Sequence, residues 1–427
     1  MPPIDDHPLR YRLANELHAR PFPTLTAPAA VAFLALKHSD EAVSRDRDQD
    51  LAHLTALIDR FGAPHPQPGA THYSGQLGRH HLKWEQHTEF VTYSVFLEGE
   101  SDRAFAPEIF DFFPQDWLND APGQRMTSVL LHVIKRENDD QVATALQDWF
   151  VPESLAVSRV LDNSATIAGD FRIDPAGHMR FAVFVDPSTG DRRIGRIIQR
   201  LCEIETYKSM SMLGFSRARD MSERINTHDT ALTKLMVAMT EGAEPAERIL
   251  HNLLSSSSEL ETMAAGASFR FAASAAYEAI VMQRIQVLRE DRFKGRQTFS
   301  EFMVRRYDPA MRTVKSTEQR LQSLADRAIR AGDLLRTRVD VERSAQNQKL
   351  LESMDRRSDL QLRLQRTVEG LSVVAISYYA VSLVSYLLYP LSETFGFSKG
   401  ALTAAVAVPV IAAVWWIVRR IRHSAER

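Results

Sequence analysis

The residues with the clearest chemical potential are histidines that cluster in the first quarter of the chain. Imidazole is the commonest neutral metal ligand in proteins. On a strand that begins near His80, alternation places His81 and His87 on one face with Lys83. Because a lysine on that face indicates contact with water, we interpret the face as a solvated surface, and His81 and His87 are weak candidates for a metal site. The clustered histidines are His65, His72, His80, His81 and His87.

A second group of polar residues lies near the N-terminus. Asn15, Glu16, His18 and Arg20 offer hydrogen-bond donors and acceptors and one group that exchanges protons near neutral pH. Two roles are open for this motif, namely tying a first helix to a sheet or acid–base catalysis. We favour the structural role, since acid–base catalysis needs a geometry that spacing alone does not define.

A third set of polar side chains interrupts an uncharged segment near the C-terminus. Tyr378, Ser382, Ser385 and Tyr389 recur at helical spacing and share one face of a helix. In lipid, such a face turns toward other helices or toward water. Helix packing is the favoured interpretation, and a pore lining with Glu393 at its outer mouth is the alternative.

Several kinds of site find no support in the sequence. Cys202 is the single cysteine, so an intrachain disulfide and a multi-cysteine zinc site cannot form. Walker A, glycine-rich dinucleotide and HExxH motifs do not occur in the sequence. A net charge of -2 provides no basic excess for nucleic acid. The sequence indicates no particular cofactor, so the cofactor is unknown, and an enzymatic activity is the least favoured function.

Two segments near the C-terminus are long enough to cross a membrane. Residues 370–392 and 400–418 contain no charged residue, and a bilayer core of about 30 Å needs about 20 helical residues. Arginines precede the first segment and follow the second, whereas the short connection carries one lysine. Both termini are therefore expected to face the cytoplasm, with the inner-membrane bilayer as a partner.

The region before these segments changes character along the chain. Up to about Asp186, strands and helices interleave with local hairpins, which is typical of an α+β domain with a mostly antiparallel sheet. Beyond it we expect one helix to about Glu241, a second after Pro245 and a third from about Ser268. A last helix runs from about Pro309 into the first uncharged segment.

The last helix begins with residues spaced seven apart. Val314, Leu321, Ala328 and Leu335 suggest a coiled seam, and self-association into a homo-oligomer is one use of such a seam. The predicted regions are an α+β cytoplasmic domain at 1–187, a helical bundle at 188–308, a stalk helix at 309–369, transmembrane helices at 370–392 and 400–418 joined by an outer loop at 393–399, and a basic tail at 419–427.

The N-terminal motif lies in a segment with a family resemblance. The run from Arg10 to Leu36, with Asn-Glu-Leu-His-Ala-Arg-Pro at Asn15–Pro21, resembles the opening of a bacterial family catalogued as domain of unknown function 3422. The total length and the C-terminal hairpin are also similar, so the resemblance covers essentially the whole chain. It implies a bacterial membrane protein and supplies no activity or catalytic residue.

The order of the regions is also similar to that of the CorA-type magnesium transporters, which are pentameric. Those proteins carry Gly-Met-Asn after the first span, where this chain has Tyr-Pro-Leu-Ser-Glu at Tyr389–Glu393. The departure puts the ion and the transport itself in doubt, because organisation alone does not establish function. A membrane-tethered scaffold or sensor and a homo-oligomeric cation channel or transporter rank nearly equal, ahead of an enzyme.

Overall fold

The structure, a computed structural model, divides into two compact units. The first contains Met1–Ala243 and His251–Ala331, and the second contains Glu244–Leu250 and Gly332–Arg427. The residues that the structure describes are 4–16, 22–38, 46–99, 103–242, 244–395 and 399–425.

The described residues form helices and strands that we number in chain order. The helices are α1 Arg10–Glu16, α2 Arg47–Arg60, α3 Gln115–Asn119, α4 Asp139–Trp149, α5 Asp191–Glu241, α6 Ala246–Leu288, α7 Phe299–Arg306, α8 Asp308–Phe395 and α9 Lys399–Ala425, with a 3-10 helix at Pro107–Phe112. The strands are β1 Ala29–Lys37, β2 His72–Leu77, β3 His80–Gln86, β4 Phe90–Glu98, β5 Gln124–Lys135, β6 Ala156–Val160, β7 Ala165–Ile173, β8 Met179–Val185 and β9 Asp291–Arg292.

The strands of the first unit join into one nine-stranded sheet in the order β2-β3-β4-β1-β5-β8-β7-β6-β9. β5 and β8 pair in parallel, and the other neighbouring strands pair antiparallel. In the centre, Ala32 of β1 lies opposite Val95 of β4 and Leu130 of β5. The predicted α+β class is therefore confirmed.

Helices cover both faces of this sheet. On one face, Leu34, Trp84 and Tyr93 are buried in a core that also contains residues of α2, α3 and α4. On the other face, α5 packs against β5 and β8. Alternate residues of a central strand are therefore buried on opposite sides of the sheet, as the period of two requires.

Three long helices pack together beside the sheet. A methyl group on Gly214 of α5 would lie 2.2 Å from the Ser274 Oγ of α6 and 3.5 Å from the Val314 Cγ1 of α8, so only glycine fits at this contact. The predicted start of a separate helix near Ser268 is wrong, because α6 runs unbroken to Leu288. The small residues of this region let helices approach closely without ending the helix.

The start of α8 is buried, and its middle is exposed. Val314, Leu321 and Ala328 are each at most 3% exposed, which places the seven-residue spacing on an intrachain contact. Every side chain from Asp340 to Val368 is exposed, so the predicted coiled seam has no partner helix there within the described chain. The heptad-like spacing thus reports packing inside one chain near the start of the helix.

The second unit ends in two apolar helical stretches. α8 continues through the first predicted span and ends at Phe395, and α9 begins at Lys399, so helix occupies both ends of the predicted loop 393–399. Both stretches are long and apolar enough to cross a membrane, with only 6% and 11% of their residues buried.

Candidate functional site

Strand β3 carries charged side chains between the sheet and α5. Leu82 and Trp84 enter the core on one face, whereas Lys83 and Glu85 lie on the other. The Lys83 and Glu85 side chains are 6% and 13% exposed. The interpretation of this face as a solvated surface is therefore wrong, because α5, whose Gln199 lies 116 residues further along the chain, covers it.

These charges belong to a network that joins β3, α5 and α6. Lys83 Nζ lies 3.2 Å from Glu85 Oε2 and donates to Gln199 Oε1 at 3.0 Å. Gln199 Nε2 donates to Glu203 Oε1 at 2.8 Å, and the Arg284 Nε of α6 donates to the other oxygen of that carboxylate. Pairing of this kind offsets the cost of placing ionised groups away from water.

The network borders a cavity of about 220 Å³ between the sheet and α5, which we call the sheet–helix cavity. Its charged lining residues are Lys83, Glu85, Glu203 and Arg284. At about 30 Å³ per water molecule, this volume suits a molecule with the bulk of roughly seven waters. Apolar and hydroxyl side chains complete the wall, among them Phe33, Phe90, Phe96, Thr92, Ser94 and Thr206.

The single cysteine also lines the sheet–helix cavity. Cys202 is 5% exposed, and burial raises the pKa of its thiol far above the ordinary value. A thiol that stays protonated is a poor nucleophile and a poor metal ligand. Cys202 therefore contributes an apolar surface to the wall.

The segment after the N-terminal motif reaches this cavity. Pro23, two residues beyond Pro21, lines the cavity wall. Leu25 N donates to Asp191 O at 3.3 Å, and a methyl group on Gly195 would lie 1.7 Å from Pro23 O. Gly195 thus allows this segment to lie directly on the first turns of α5.

A second cavity, of about 310 Å³, shares three lining residues with the first. The shared residues are His87, Phe90 and Tyr207. The rings of His87 and Phe90 stack with their centroids 4.3 Å apart, and Tyr207 stacks on Tyr277 at 5.4 Å. Aromatic rings therefore separate the two cavities.

A buried carboxylate fixes the β3–β4 turn to α6 beside this ring cluster. Glu89 is 1% exposed and accepts hydrogen bonds from Arg270 Nη1 at 3.2 Å and from the Tyr277 hydroxyl at 2.7 Å. Burial and this carboxylate both raise the pKa of the Tyr277 hydroxyl. The Tyr277 hydroxyl therefore remains protonated and continues to donate to Glu89.

The structure places the two weak metal candidates at opposite ends of β3. His81 Nε2 lies 2.8 Å from Ser74 Oγ, and burial lowers the pKa of the imidazole. His87 follows the last residue of the strand, so the two histidines are about 20 Å apart at about 3.3 Å per residue. No group of three or more metal-ligating side chains occurs among the residues that the structure describes.

The N-terminal motif lies largely outside the described residues. Asn15 and Glu16 are the last two residues of α1, and the structure describes their backbone but not their side chains. His18 and Arg20 are outside the described ranges.

The polar face of the first apolar stretch borders a groove against α9, which we call the hairpin groove. Tyr378, Ser382 and Ser385 line it together with Leu402 and Thr403, and its volume is about 680 Å³. The helical spacing of the sequence therefore identified three residues that share a surface. The side chains of Tyr389 and Glu393, the remaining members of that prediction, lie outside the described residues.

Sequence reasoning missed the helical half of the sheet–helix cavity. Gln199, Glu203 and Tyr207 lie on α5, and Arg284 lies on α6, inside helices that we interpreted only as a bundle. One signal was available, because Lys83 and Glu85 place opposite charges on one face of a strand whose other face is apolar. That arrangement also fits a covered strand.

Comparison with known proteins gives a family and nothing closer. The model of a family described as "Protein of unknown function (DUF3422)" matches residues 5–425. Neither the curated proteins nor the solved structures contain a match to the chain.

Proposed function

Because the chain belongs to the DUF3422 family, whose description assigns no activity, we propose that it is a membrane-anchored sensor. The part of the chain before residue 370, which we call the body, binds a small polar molecule in the sheet–helix cavity. Residues 370–392 of α8 and 400–418 of α9 hold the chain in a bacterial inner membrane, with both termini and the body in the cytoplasm. This choice develops the scaffold-or-sensor hypothesis toward a sensor, because the body contains a cavity with charged walls.

The exposure of the apolar stretches supports the membrane anchor. A core helix of a soluble protein is mostly buried, whereas only 6% and 11% of these two stretches are buried. Large side chains such as Leu383 and Val408 are 62% and 72% exposed. Surfaces of this kind are stable in a hydrocarbon environment.

The ends of the stretches support the orientation. Arg419 and Arg420 lie 5.0 and 5.3 Å from the ring centroids of Trp415 and Trp416, which places an aromatic and basic belt at one end of α9. Indole rings favour the headgroup layer on either side of a membrane, whereas arginines beside a span favour the cytoplasmic side. The other arginines beside the spans are Arg356, Arg357, Arg363, Arg366, Arg422 and Arg427, whereas the connection between the spans carries only one basic residue, Lys399.

The observation that carries the binding proposal is Lys83, a lysine 6% exposed that faces a cavity. Lysine is almost never fully buried unless it is paired. Replacing a buried ion pair by apolar residues is often neutral or stabilising, so stability does not account for this arrangement. Paired charges facing an open volume are suited to a ligand that replaces part of their hydrogen bonding.

The anchor and its orientation are tested by labelling with a membrane-impermeant maleimide. We expect Ser398→Cys, between the spans, to be labelled in spheroplasts and Ser424→Cys, in the tail, to be labelled only after lysis. Cys202 is buried, so the parent protein provides the unlabelled control. Labelling of Ser424→Cys from outside would overturn the orientation, and recovery of the protein in the soluble fraction would overturn the anchor.

Binding is tested by thermal shift of the detergent-solubilised protein against a library of polar metabolites. We expect a ligand to raise the unfolding temperature, because it binds only the folded state. Ser94→Phe fills the cavity and should abolish the shift, whereas Ser216→Phe, at an exposed position of α5, should retain it. A library without any stabilising ligand, or an equal shift in both variants, would count against the sensor.

The hairpin groove favours a second candidate, a homo-oligomeric cation channel or transporter. Ser385 Oγ is buried and has no hydrogen-bond partner among the described residues. The groove that Ser385 lines with Tyr378 and Ser382 is bordered by hydroxyl side chains, and such a surface suits contact with a second copy or with water in a conduit. A monomer in detergent, or proteoliposomes without cation flux, would exclude this candidate.

A further inference from the structure

Arginines lie beside the residues of α5 and α6 that line the sheet–helix cavity, and Arg284 is itself one of the lining residues. Arg196 and Arg200 lie one turn apart on α5, and Arg284 lies near the end of α6. The pKa of the Arg200 guanidinium is lowered, first by burial and then by the charges of Arg196 and Arg284, while Glu203 acts in the opposite direction. The geometry agrees, because Arg200 Nη1 reaches Val287 O, three residues beyond Arg284 on α6.

The carboxylates near this cluster already have partners. Arg284 pairs with Glu203, which also accepts from Gln199. Arg289, just after α6, pairs with Asp162 at 2.7 Å. These two carboxylates thus pair with two of the four arginines, Arg284 and Arg289.

The guanidinium groups of Arg196 and Arg200 have donors that are free to bind a ligand. In the described part of the chain neither of them forms an ion pair, and Arg196 Nε is buried without a hydrogen-bond partner. Arg200 Nη1 donates to Val287 O at 3.5 Å, which is a long contact. Like charges at this spacing destabilise a helix, and an anion bound between Arg196 and Arg200 would relieve that repulsion.

We infer that Arg196, Arg200 and Arg284 bind the phosphate group of a small molecule whose remaining part enters the sheet–helix cavity. The inference rests on the proposed function, because Arg284 lines that cavity. Guanidinium groups bind phosphate through paired hydrogen bonds in a fork.

The size of the cavity favours a soluble phosphorylated molecule over a phospholipid. Ligand cavities usually measure roughly 300 to 1,000 Å³. The sheet–helix cavity of about 220 Å³ lies below that range and has charged walls. The acyl chains of a phospholipid do not fit this volume.

The test is calorimetric titration of the full-length protein in nonionic detergent with pyrophosphate. The double variant Arg196→Gln with Arg200→Gln should bind at least about tenfold more weakly, since a loss of about 1.4 kcal/mol is a factor of ten. The double variant Arg219→Gln with Arg224→Gln changes the same charge at exposed positions of the same helix and should bind as the parent does. Without ligand, the first variant should unfold no earlier than the parent, because repulsion is relieved.

Each outcome separates this site from the proposed function. Equal binding by the parent and the first variant, or an equal loss in both variants, would overturn the phosphate site. Tight pyrophosphate binding in the parent and in Ser94→Phe, without any stabilising metabolite, would support the site and count against the sensor. Binding of dioctanoyl phosphatidylglycerol in preference to pyrophosphate, lost in the first variant, would overturn the soluble ligand.

Discussion

The sheet–helix cavity and the hairpin groove differ in the kind of polar group that lines them. The cavity holds full charges, and its Lys83, Glu85, Glu203 and Arg284 pair with one another or with Gln199. The groove holds hydroxyls, and Ser382 Oγ donates to a carbonyl of its own helix at 2.9 Å.

The difference follows from what surrounds each region. Charges can stay inside the body because three elements, β3, α5 and α6, supply partners around them. Two helices alone cannot surround a charge, and a bare charge in hydrocarbon is expensive. The comparison predicts that charge changes disturb the hairpin most, the body next, and hydroxyl changes least.

The largest effect should come from placing arginines in the first apolar stretch. Ile376→Arg with Leu383→Arg should prevent stable membrane integration, because each arginine near mid-span costs about 3 kcal/mol. Leu351→Arg with Leu360→Arg changes similarly exposed side chains of the same helix and should leave integration unchanged. Resistance to carbonate extraction measures both, and equal extraction of the two variants would break the comparison.

The next effect should come from the buried carboxylate of the body. Glu89→Gln leaves Arg270 without its anion, which should lower the free energy of unfolding by about 3 kcal/mol. Glu247→Gln breaks an exposed pair with Arg343 and should change the free energy of unfolding by less than about 1 kcal/mol. Denaturant unfolding of the detergent-solubilised protein measures both, and similar losses would show that burial does not set the strength of these pairs.

A smaller effect should appear when the pH falls. His53 is buried between Tyr93 and Trp117, and burial lowers the pKa of its imidazole below 6.5. Below pH 6.5 the unfolded chain therefore binds a proton more readily at His53 than the folded chain does. The contribution of the neutral imidazole to the free energy of unfolding is fully present above pH 6.5 and decreases below it. The loss is at most about 1.4 kcal/mol per pH unit for one such group.

Thermal unfolding between pH 7.5 and pH 5.5 measures this effect. His81, whose pKa burial also lowers, contributes in the same direction, so His81→Asn should remove part of the loss of stability on acidification. The apolar stretches contain no histidine, so membrane integration should not change over this range. A stability that rises on acidification would contradict the assignment.

The two regions also differ in how far the sequence predicts them. The hairpin groove is local, because Ser382 and Ser385 share a helical face and Thr403 follows after a short connection. The alternation of β3 was equally local and correctly separated Lys83 from Trp84. The element that covers Lys83 could not be predicted locally, because Gln199 lies 116 residues further along the chain. Only the tertiary fold brings the two side chains within hydrogen-bonding distance.

Tertiary pairing explains the other omissions as well. Glu89 and Arg270 are separated by 181 residues, and neither neighbourhood marks them as partners. The start predicted near Ser268 failed because small residues resemble a helix boundary in sequence, although here they provide the close contact at Ser274. Periodicity thus predicts which face a residue occupies, and only the fold decides what that face meets.

The smallest effect should come from a single hydroxyl in the hairpin groove. If copies of the chain associate there, Ser385→Ala should weaken association about threefold, because hydrogen bonds between membrane helices average about 0.6 kcal/mol. Ser372→Ala is the matched control, since the Ser372 hydroxyl donates to Val368 O of its own helix at 2.8 Å. Light scattering over a range of protein-to-detergent ratios measures the association constant. A weaker association in Ser385→Ala alone would favour a homo-oligomer, whereas equal values in both variants would count against association through the hairpin groove.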